Sequence, residues 1–377
     1  MAIPPNFRSF FLGGFECSTH KRADGIRLDL VALTGHDVQA RRDYALLAQH
    51  GLLAARDGVR WHLIERRRGV YSWASLMPQL KAARAAKVQV IWDLFHYGWP
   101  NGVDPWSSAM VERFADFAAA AAATIAEHTD GSPWFCPVNE VSFLSWAGGD
   151  MGGMNPFGRG RGAELKAQLT RMAIAAIRAI RVAVPNARFI TAEPLINILP
   201  QSAQEHHVRA AAEYMEAQFE ATDMLTGRKS PELGGQPDYL DVCGLNVYFN
   251  NQWIDHGRPV HLGEVIFQPL REQLRQVHDR YGKPLLIAET GTEGVFRAAW
   301  LHYIADEVAM AKAAGTPVEG ICLYPVLSHR GWDDVRHCPN GLFAGYTPDA
   351  DRTAYKPLAD ELARQQDLFA RGVLARD

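Results

Sequence analysis

No apolar run in this 377-residue chain is long enough to span a bilayer as a helix. The N-terminal stretch MAIPPNFRSFF lacks a basic region followed by an apolar segment and a small-residue cleavage site, so the sequence reads as a soluble, cytoplasmic protein. Cysteine is scarce: Cys17, Cys136, Cys243, Cys322 and Cys338 are the five, and no two are spaced as CxxC. That spacing excludes the usual zinc and redox motifs. The first four lie in strand-like runs, where cysteine serves as a small apolar residue. Neither a basic stripe nor an acidic tail is present; 39 Lys and Arg stand against 42 Asp and Glu, for a net charge of −3, which argues against nucleic acid as a partner. There is no internal repeat beyond an alternation of elements, and no low-complexity linker; the alanine run at 118–123 reads as helix. Gly148-Gly149 and Gly152-Gly153 are not followed by a phosphate-loop or dinucleotide pattern. Glu205-His206-His207 is no metal site, because adjacent histidines on a helix diverge and no third ligand follows. No cofactor or metal is expected.

What is present is a core-building composition, 47% hydrophobic and 21% charged. Short apolar runs alternate with helical patterns. Strands are expected at 10–18, 52–62, 88–96, 134–143, 188–196, 239–249, 284–291 and 318–326. Helices are expected at 36–50, 73–87, 107–128, 163–184, 202–226, 267–281, 296–315 and 354–370. Eight near-continuous apolar strands, each followed by a helix, predict an α/β fold: one (β/α)8 barrel domain spanning 1–377. Ser107-Ser108 reads as a helix N-cap, Pro185-Asn186 as a breaker, and Gly51 and Gly282 as helix-end glycines. Long insertions follow strands 4 (145–162), 6 (250–264) and 8 (328–350). In a barrel they decorate the C-terminal face, where active sites lie.

Polar residues gather at the strand ends: Glu16 on strand 1, Arg60 on 2, Asp93 and His96 on 3, Asn139-Glu140 on 4, Glu193 on 5, Asn246 and Tyr248 on 6, Glu289 on 7 and Tyr324 on 8. A barrel core favours branched apolar side chains, and charge there is costly unless paired or used. Glu140 ends WFCPVNE and Glu289 ends PLLIAE, about half a circuit apart. Two carboxyls facing each other across a barrel mouth suit a retaining glycosidase, in which one protonates the leaving oxygen and the other attacks the sugar.

FLGGFE, GVRWHLIE, FHYGWP, the Asn-Glu of strand 4, GLNVYF and the lone Glu of strand 7 together resemble clan A glycoside hydrolases, and within them the family 1 β-glucosidase-like branch. The resemblance implies Glu140 as acid/base and Glu289 as nucleophile. It implies Asn139 at the sugar 2-hydroxyl, Arg60 and Tyr248 against Glu289, and His96 and Glu16 on sugar hydroxyls, with Asn246 also lining the site. Two departures stand out. Glu16 takes the place of the family's usual Gln, and Tyr324, followed by Pro325, takes that of its usual Trp. Tyr324, or Trp332 from the following loop, is then the candidate sugar platform, and Asp333 and Asp334 are candidate hydroxyl contacts or a solvated loop.

Bland alternatives exist for several of these residues. Asp93 reads as a structural acid, and Glu193 is balanced between site and structural pairing. The substrate class is carbohydrate and the expected activity is hydrolysis of a small β-glycoside or oligosaccharide. Rival readings are transglycosylation at the same site, a non-catalytic sugar-binding barrel, and a metal-dependent hydrolase; the last is disfavoured by the lack of HxH on strand 1.

Overall fold

The computed structural model describes residues 6–332, 334 and 336–372. Eight parallel strand positions form the barrel: β1 (Phe11–Gly14), β2 (Ala54–Gly58), β3 (Gln89–Asp93), β4 (Trp134–Cys136), β5 in two pieces (Arg188–Phe189 and Glu193–Pro194), β6 (Cys243–Tyr248), β7 (Leu285–Gly291) and β8 (Val318–Leu323). The sheet runs 4-3-2-1-8-7-6 between the two pieces of β5. The first piece pairs with β4 and the second with β6, and a bridge joins Ile190 to Val242 between them. The sheet thus closes on itself through β5, leaving no free edge.

The expected helices form the outer layer: α1 (His36–Gln49), α2 (Met77–Ala86), α3 (Ser108–Ala126), α4 (Gly162–Ala183), α5 (Glu205–Ala217), α6 (Leu270–Tyr281), α7 (Arg297–Ala313) and α8 (Lys356–Ala370). The helical pattern expected over 202–226 is two helices, α5 and a shorter Glu220–Leu225. Gly51 and Gly282 both adopt the left-handed conformation that ends α1 and α6, at φ 72° and 62°. Ser107 does precede α3, but its hydroxyl donates back to the Asp104 carbonyl at 2.8 Å instead of capping the helix. The three long insertions are not bare loops. They carry a π-helical turn (Ser145–Asp150), a strand (Gln252–Ile254) and a hairpin (His329–Arg330 with His337–Cys338).

Two cores follow from the period-two alternation of strands. Inward residues Leu12, Ala54, Ile91, Trp134, Cys136, Ile190, Val242, Leu286, Ala288 and Cys322 fill the barrel, and Phe7 packs on Trp134 at 5.0 Å. Outward residues such as Ala55, Trp92, Phe135, Leu245 and Ile287 pack against the helices. All five cysteines are free and buried. Among the described residues no helix is long and apolar enough to cross a membrane.

Candidate active site

On β2 the inward series is Ala54, Arg56, Gly58, while Asp57 faces the helices and accepts from His36 (3.0 Å), Tyr44 (2.7 Å) and Gln79 (2.8 Å). Arg56 is therefore a buried guanidinium inside the barrel. It donates to Glu289 at 3.0 Å, the Ala288 carbonyl at 2.8 Å, Asp93 at 2.7 Å and Asn139 at 3.0 Å. This corrects the expectation for Arg60. The strand stops at Gly58 rather than running to 62, and a short helix (Trp61–Ile64) begins. Arg60 swings out to Asp29 at 3.2 Å, Asp37 at 3.0 Å and the Ser75 carbonyl at 3.2 Å, with no contact to Glu289.

Glu289 enters the barrel through an irregularity. Register on β7 shifts between Ile287 and Glu289, so that Asn246 of β6 faces Glu289 while Leu245 faces Ile287. A bulge of this kind re-aims a side chain. It turns Ala288 and Glu289 both inward, where strict alternation would send Glu289 to the helices. Tyr248 donates its hydroxyl to the second oxygen of Glu289 at 2.8 Å.

Glu140 is presented differently. It follows β4 in the left-handed region, φ 46° and ψ 59°, a conformation that costs a non-glycine residue about 1 kcal/mol. Its N–H donates to the Ala192 carbonyl at 2.8 Å. The next two N–H groups, of Val141 and Ser142, donate to the Glu193 carboxylate at 2.7 and 3.0 Å. Glu193 is thus a clamp that holds the turn carrying Glu140. The Glu140 carboxyl accepts from Asn246 at 2.8 Å and from the Tyr97 hydroxyl.

The two acids differ electrostatically. Burial and the charge of Glu289 push Glu140 up to about 8, against the lowering hydrogen bonds from Tyr97 and Asn246. Burial raises Glu289 as well, and the net direction is upward, though Arg56, His96 and the Tyr248 hydrogen bond oppose it. A guanidinium touches Glu289 and, among the described residues, none touches Glu140, so Glu140 keeps its proton longer.

His96 follows β3. Its Nδ1 lies 3.1 Å from Asp93 and 3.1 Å from the Cys17 sulfur, and its Nε2 lies 3.2 Å from the Asn139 amide nitrogen. Arg56 takes the Asn139 carbonyl oxygen, which turns the amide N–H₂ towards His96 and the Tyr97 hydroxyl, at 3.1 Å. Nε2 then accepts, and the ring is the neutral Nδ1–H tautomer while that contact holds. Burial lowers its basicity while Asp93 and Glu16 raise it, with a net raised value, so a proton added at Nε2 must break the Asn139 contact.

The structure gathers Glu16, His96, Asn139, Glu140, Asn246, Tyr248, Glu289 and Tyr324 at the C-terminal end of the barrel, and excludes Arg60. Asn139 and Asn246 are fully buried, with their amide nitrogens donating to protein groups. Tyr324 is only 2% exposed, with the Arg56 guanidinium 5.4 Å from its ring centre. Almost no face is left for a sugar, so it does not fit the platform role expected of it. Trp332 stands at the mouth against His20 (4.8 Å), Tyr97 (5.6 Å) and Phe143 (6.1 Å). Asp334 accepts the Arg336 N–H at 3.0 Å within its own turn, and Asp333 lies outside the described residues.

Sequence reasoning missed Arg56, Tyr97 and Cys17. Period-two counting from Ala54 would have found Arg56. Tyr97 is visible only as the neighbour of His96; its φ of 66° is not legible in sequence. Cys17 was read as apolar filler. Among the described residues, Cys17, Asp93 and His96 are the group spaced for a cation. However, the Asp93 oxygen is taken by Arg56 and by His96 Nδ1, so the three form a hydrogen-bonded triad instead.

Comparison with solved structures identifies the architecture. The chain superposes on the AHE enzyme from Alicyclobacillus herbarius with a TM-score of 0.78 at 17% identity, covering 97% of this chain and 98% of that one. It superposes on the family 1 β-glucosidase from Thermotoga maritima with a TM-score of 0.74 at 14% identity, over 100% of both chains. The virulence factor SghA, solved with its substrate analogue salicin, gives 0.75 at 15% identity over 95% of each. The fold is that of the family 1 β-glucosidase barrels. No protein-family model and no curated protein sequence matches the chain.

Proposed function

We propose that this protein is a retaining β-glycosidase. The observation that carries the proposal is the inequality of two buried carboxyls in one network: Glu289 on a guanidinium, Glu140 on the neutral donors Tyr97 and Asn246. The Glu289 carboxylate attacks the anomeric carbon as the bond to the leaving oxygen breaks, and that oxygen takes the proton of Glu140. A glycosyl ester on Glu289 results. Its formation removes the negative charge that raised Glu140, so Glu140 now holds a base in place of an acid. It takes a proton from water as the water attacks the anomeric carbon. The ester bond breaks and Glu289 is returned as carboxylate.

Arg56, rather than Arg60, keeps Glu289 ionised and fixes Asn139, while Tyr248 orients the second Glu289 oxygen. Trp332, packed on the buried Tyr97, supplies aromatic surface at the mouth. The β-glucosidase fold and the salicin-bound neighbour support a β-glycoside as substrate.

The test is hydrolysis of nitrophenyl α- and β-glycosides of the gluco, galacto, manno, fuco and xylo series by wild type and Glu289→Ala. The expected result is turnover of a β-glycoside, lost in the variant and rescued by azide as an α-glycosyl azide. Full activity in Glu289→Ala overturns the mechanism. An added alcohol acceptor separates hydrolysis from transglycosylation by its products.

A further inference from the structure

Glu16 follows β1 and is 7% exposed, so it is more than nine-tenths buried. One of its carboxylate oxygens accepts the Ser18 N–H at 2.9 Å. Among the described residues nothing donates to the other, and no Lys, Arg or His lies within ion-pair distance. It shares the inward face of β1 with Leu12, which fills the barrel, and its neighbour Cys17 lies 3.1 Å from His96, so the Glu16 carboxyl stands within the site.

A charge inventory shows what is missing. With Glu140 protonated, the three carboxylates of Glu16, Asp93 and Glu289 outnumber the cations of the network among the described residues, which are Arg56 and, when protonated, His96. Arg56 spends its Nη donors on Asp93, Glu289, Asn139 and the Ala288 carbonyl, and none reaches Glu16. A buried carboxylate without a counter-ion is expensive to maintain, unless its partner arrives with the ligand. A neutral sugar hydroxyl supplies one hydrogen bond and leaves the charge uncompensated. An ammonium supplies both the hydrogen bond and the charge.

We propose that Glu16 selects a substrate whose reacting sugar carries a protonated amino group, an amino-deoxy sugar, with the ammonium paired to the free Glu16 oxygen. The assignment rests on a sugar entering this site and adds the class of that sugar.

The test is equilibrium binding by calorimetry near neutral pH, which needs no turnover. Wild type and Glu16→Gln are titrated with glucose and galactose and with their amino-deoxy derivatives bearing the ammonium at C2, C3 or C4. Gln is isosteric and keeps the acceptor for Ser18. The expected result is that wild type binds at least one amino sugar about tenfold or more tighter than its neutral parent, about 1.4 kcal/mol. The preference should shrink to about twofold or less in Glu16→Gln. Three results overturn the inference: equal or tighter binding of the neutral parents by wild type, a preference that survives in Glu16→Gln, or no binding of any amino sugar at millimolar concentration. Amino-sugar binding without cleavage of the matching nitrophenyl amino-glycoside would remove the hydrolase reading alone, and cleavage of neutral glycosides with no amino preference would remove this inference alone.

Discussion

Replacing Arg56 by lysine is the sharpest probe of the network. The substitution keeps a positive charge and removes the fork. Arginine reaches four acceptors with two nitrogens, between 2.7 and 3.0 Å. A single ammonium cannot stand within hydrogen-bond distance of all of them. Asp93 offers the nearer carboxylate, at 2.7 Å against 3.0 Å for Glu289, so a lysine settling there retreats from Glu289. At 3 Å and an effective dielectric near 20, the attraction is about 5 kcal/mol, and at ~5 Å it is about 3 kcal/mol. The loss of about 2 kcal/mol falls on the charged form of Glu289, which raises its pKa further.

The assay is the pH dependence of kcat/KM on whichever β-glycoside the enzyme cleaves. A raised Glu289 pKa moves the acidic limb upward, narrows the bell and lowers its maximum. The lost orientation of Glu289 and Asn139 adds to this, for a total fall of about 100-fold, or ~2.7 kcal/mol. Arg60→Ala is the control: it removes the contacts to Asp29 and Asp37 and lowers the melting temperature, but leaves both limbs in place. A folded Arg56→Lys protein with an unmoved acidic limb and kcat/KM within about threefold of wild type would refute the role given to Arg56. The same outcome for Arg56 with a moved limb in Arg60→Ala would restore the assignment read from the sequence.

Tyr97→Phe removes a hydrogen bond that lowers the Glu140 pKa, so the alkaline limb, set near 8 by Glu140, should move upward; an unmoved or downward limb contradicts the contact. Glu193→Ala releases the N–H groups of Val141 and Ser142, and kcat should fall about tenfold with KM little changed, as expected when an acid is mispositioned after binding. His36 is buried between Asp43 at 2.8 Å and Asp57 at 3.0 Å, and although burial lowers its basicity, the two carboxylates raise it to about 9. Its folded pKa exceeds the unfolded 6.5, so the stabilisation is complete below 6.5 and is lost as pH rises through 9. The shift corresponds to about 3 kcal/mol, so wild type should lose about that much more stability than His36→Gln between neutral and strongly alkaline pH in denaturant titrations, and parallel curves would contradict it.

The barrel was legible because its signals are repetitive. Near-continuous apolar runs such as PLLIAETG and amphipathic or alanine-rich helices alternate with few interruptions, and each helix except the split one falls within a few residues of its expected range. The site was legible to the degree that strand ends carry it. Asn139-Glu140, Asn246, Tyr248 and His96 were placed from sequence alone, and the structure brings them together. What failed depended on where strands stop and how backbones turn. Arg60 reads as a strand-end residue if the strand runs to His62, as the family resemblance also implies, but the strand ends at Gly58 and Arg56 holds the inward position. Tyr324 looked like a platform because its position on β8 was right; its burial beneath Arg56 is a matter of packing that position does not encode.

The inequality of the two acids also comes from backbone detail rather than residue type. Burial raises both glutamates, and without a cation on one of them the two would be alike. Alternation alone would point Glu289 at the helices; the register shift beside Ala288 brings it inward onto the Arg56 guanidinium. A regular exit from β4 would leave Glu140 unspecified, whereas the left-handed turn held by Glu193 and Ala192 aims it at Tyr97 and Asn246, which donate hydrogen bonds but bring no charge. Asn139 and Asn246 tie these halves together, the first bound to Arg56 and the second standing opposite Glu289 while reaching Glu140. A chain with the same residues but a regular β7 would keep the fold and lose the proposed nucleophile. The bulge is therefore as much part of the candidate site as either carboxyl.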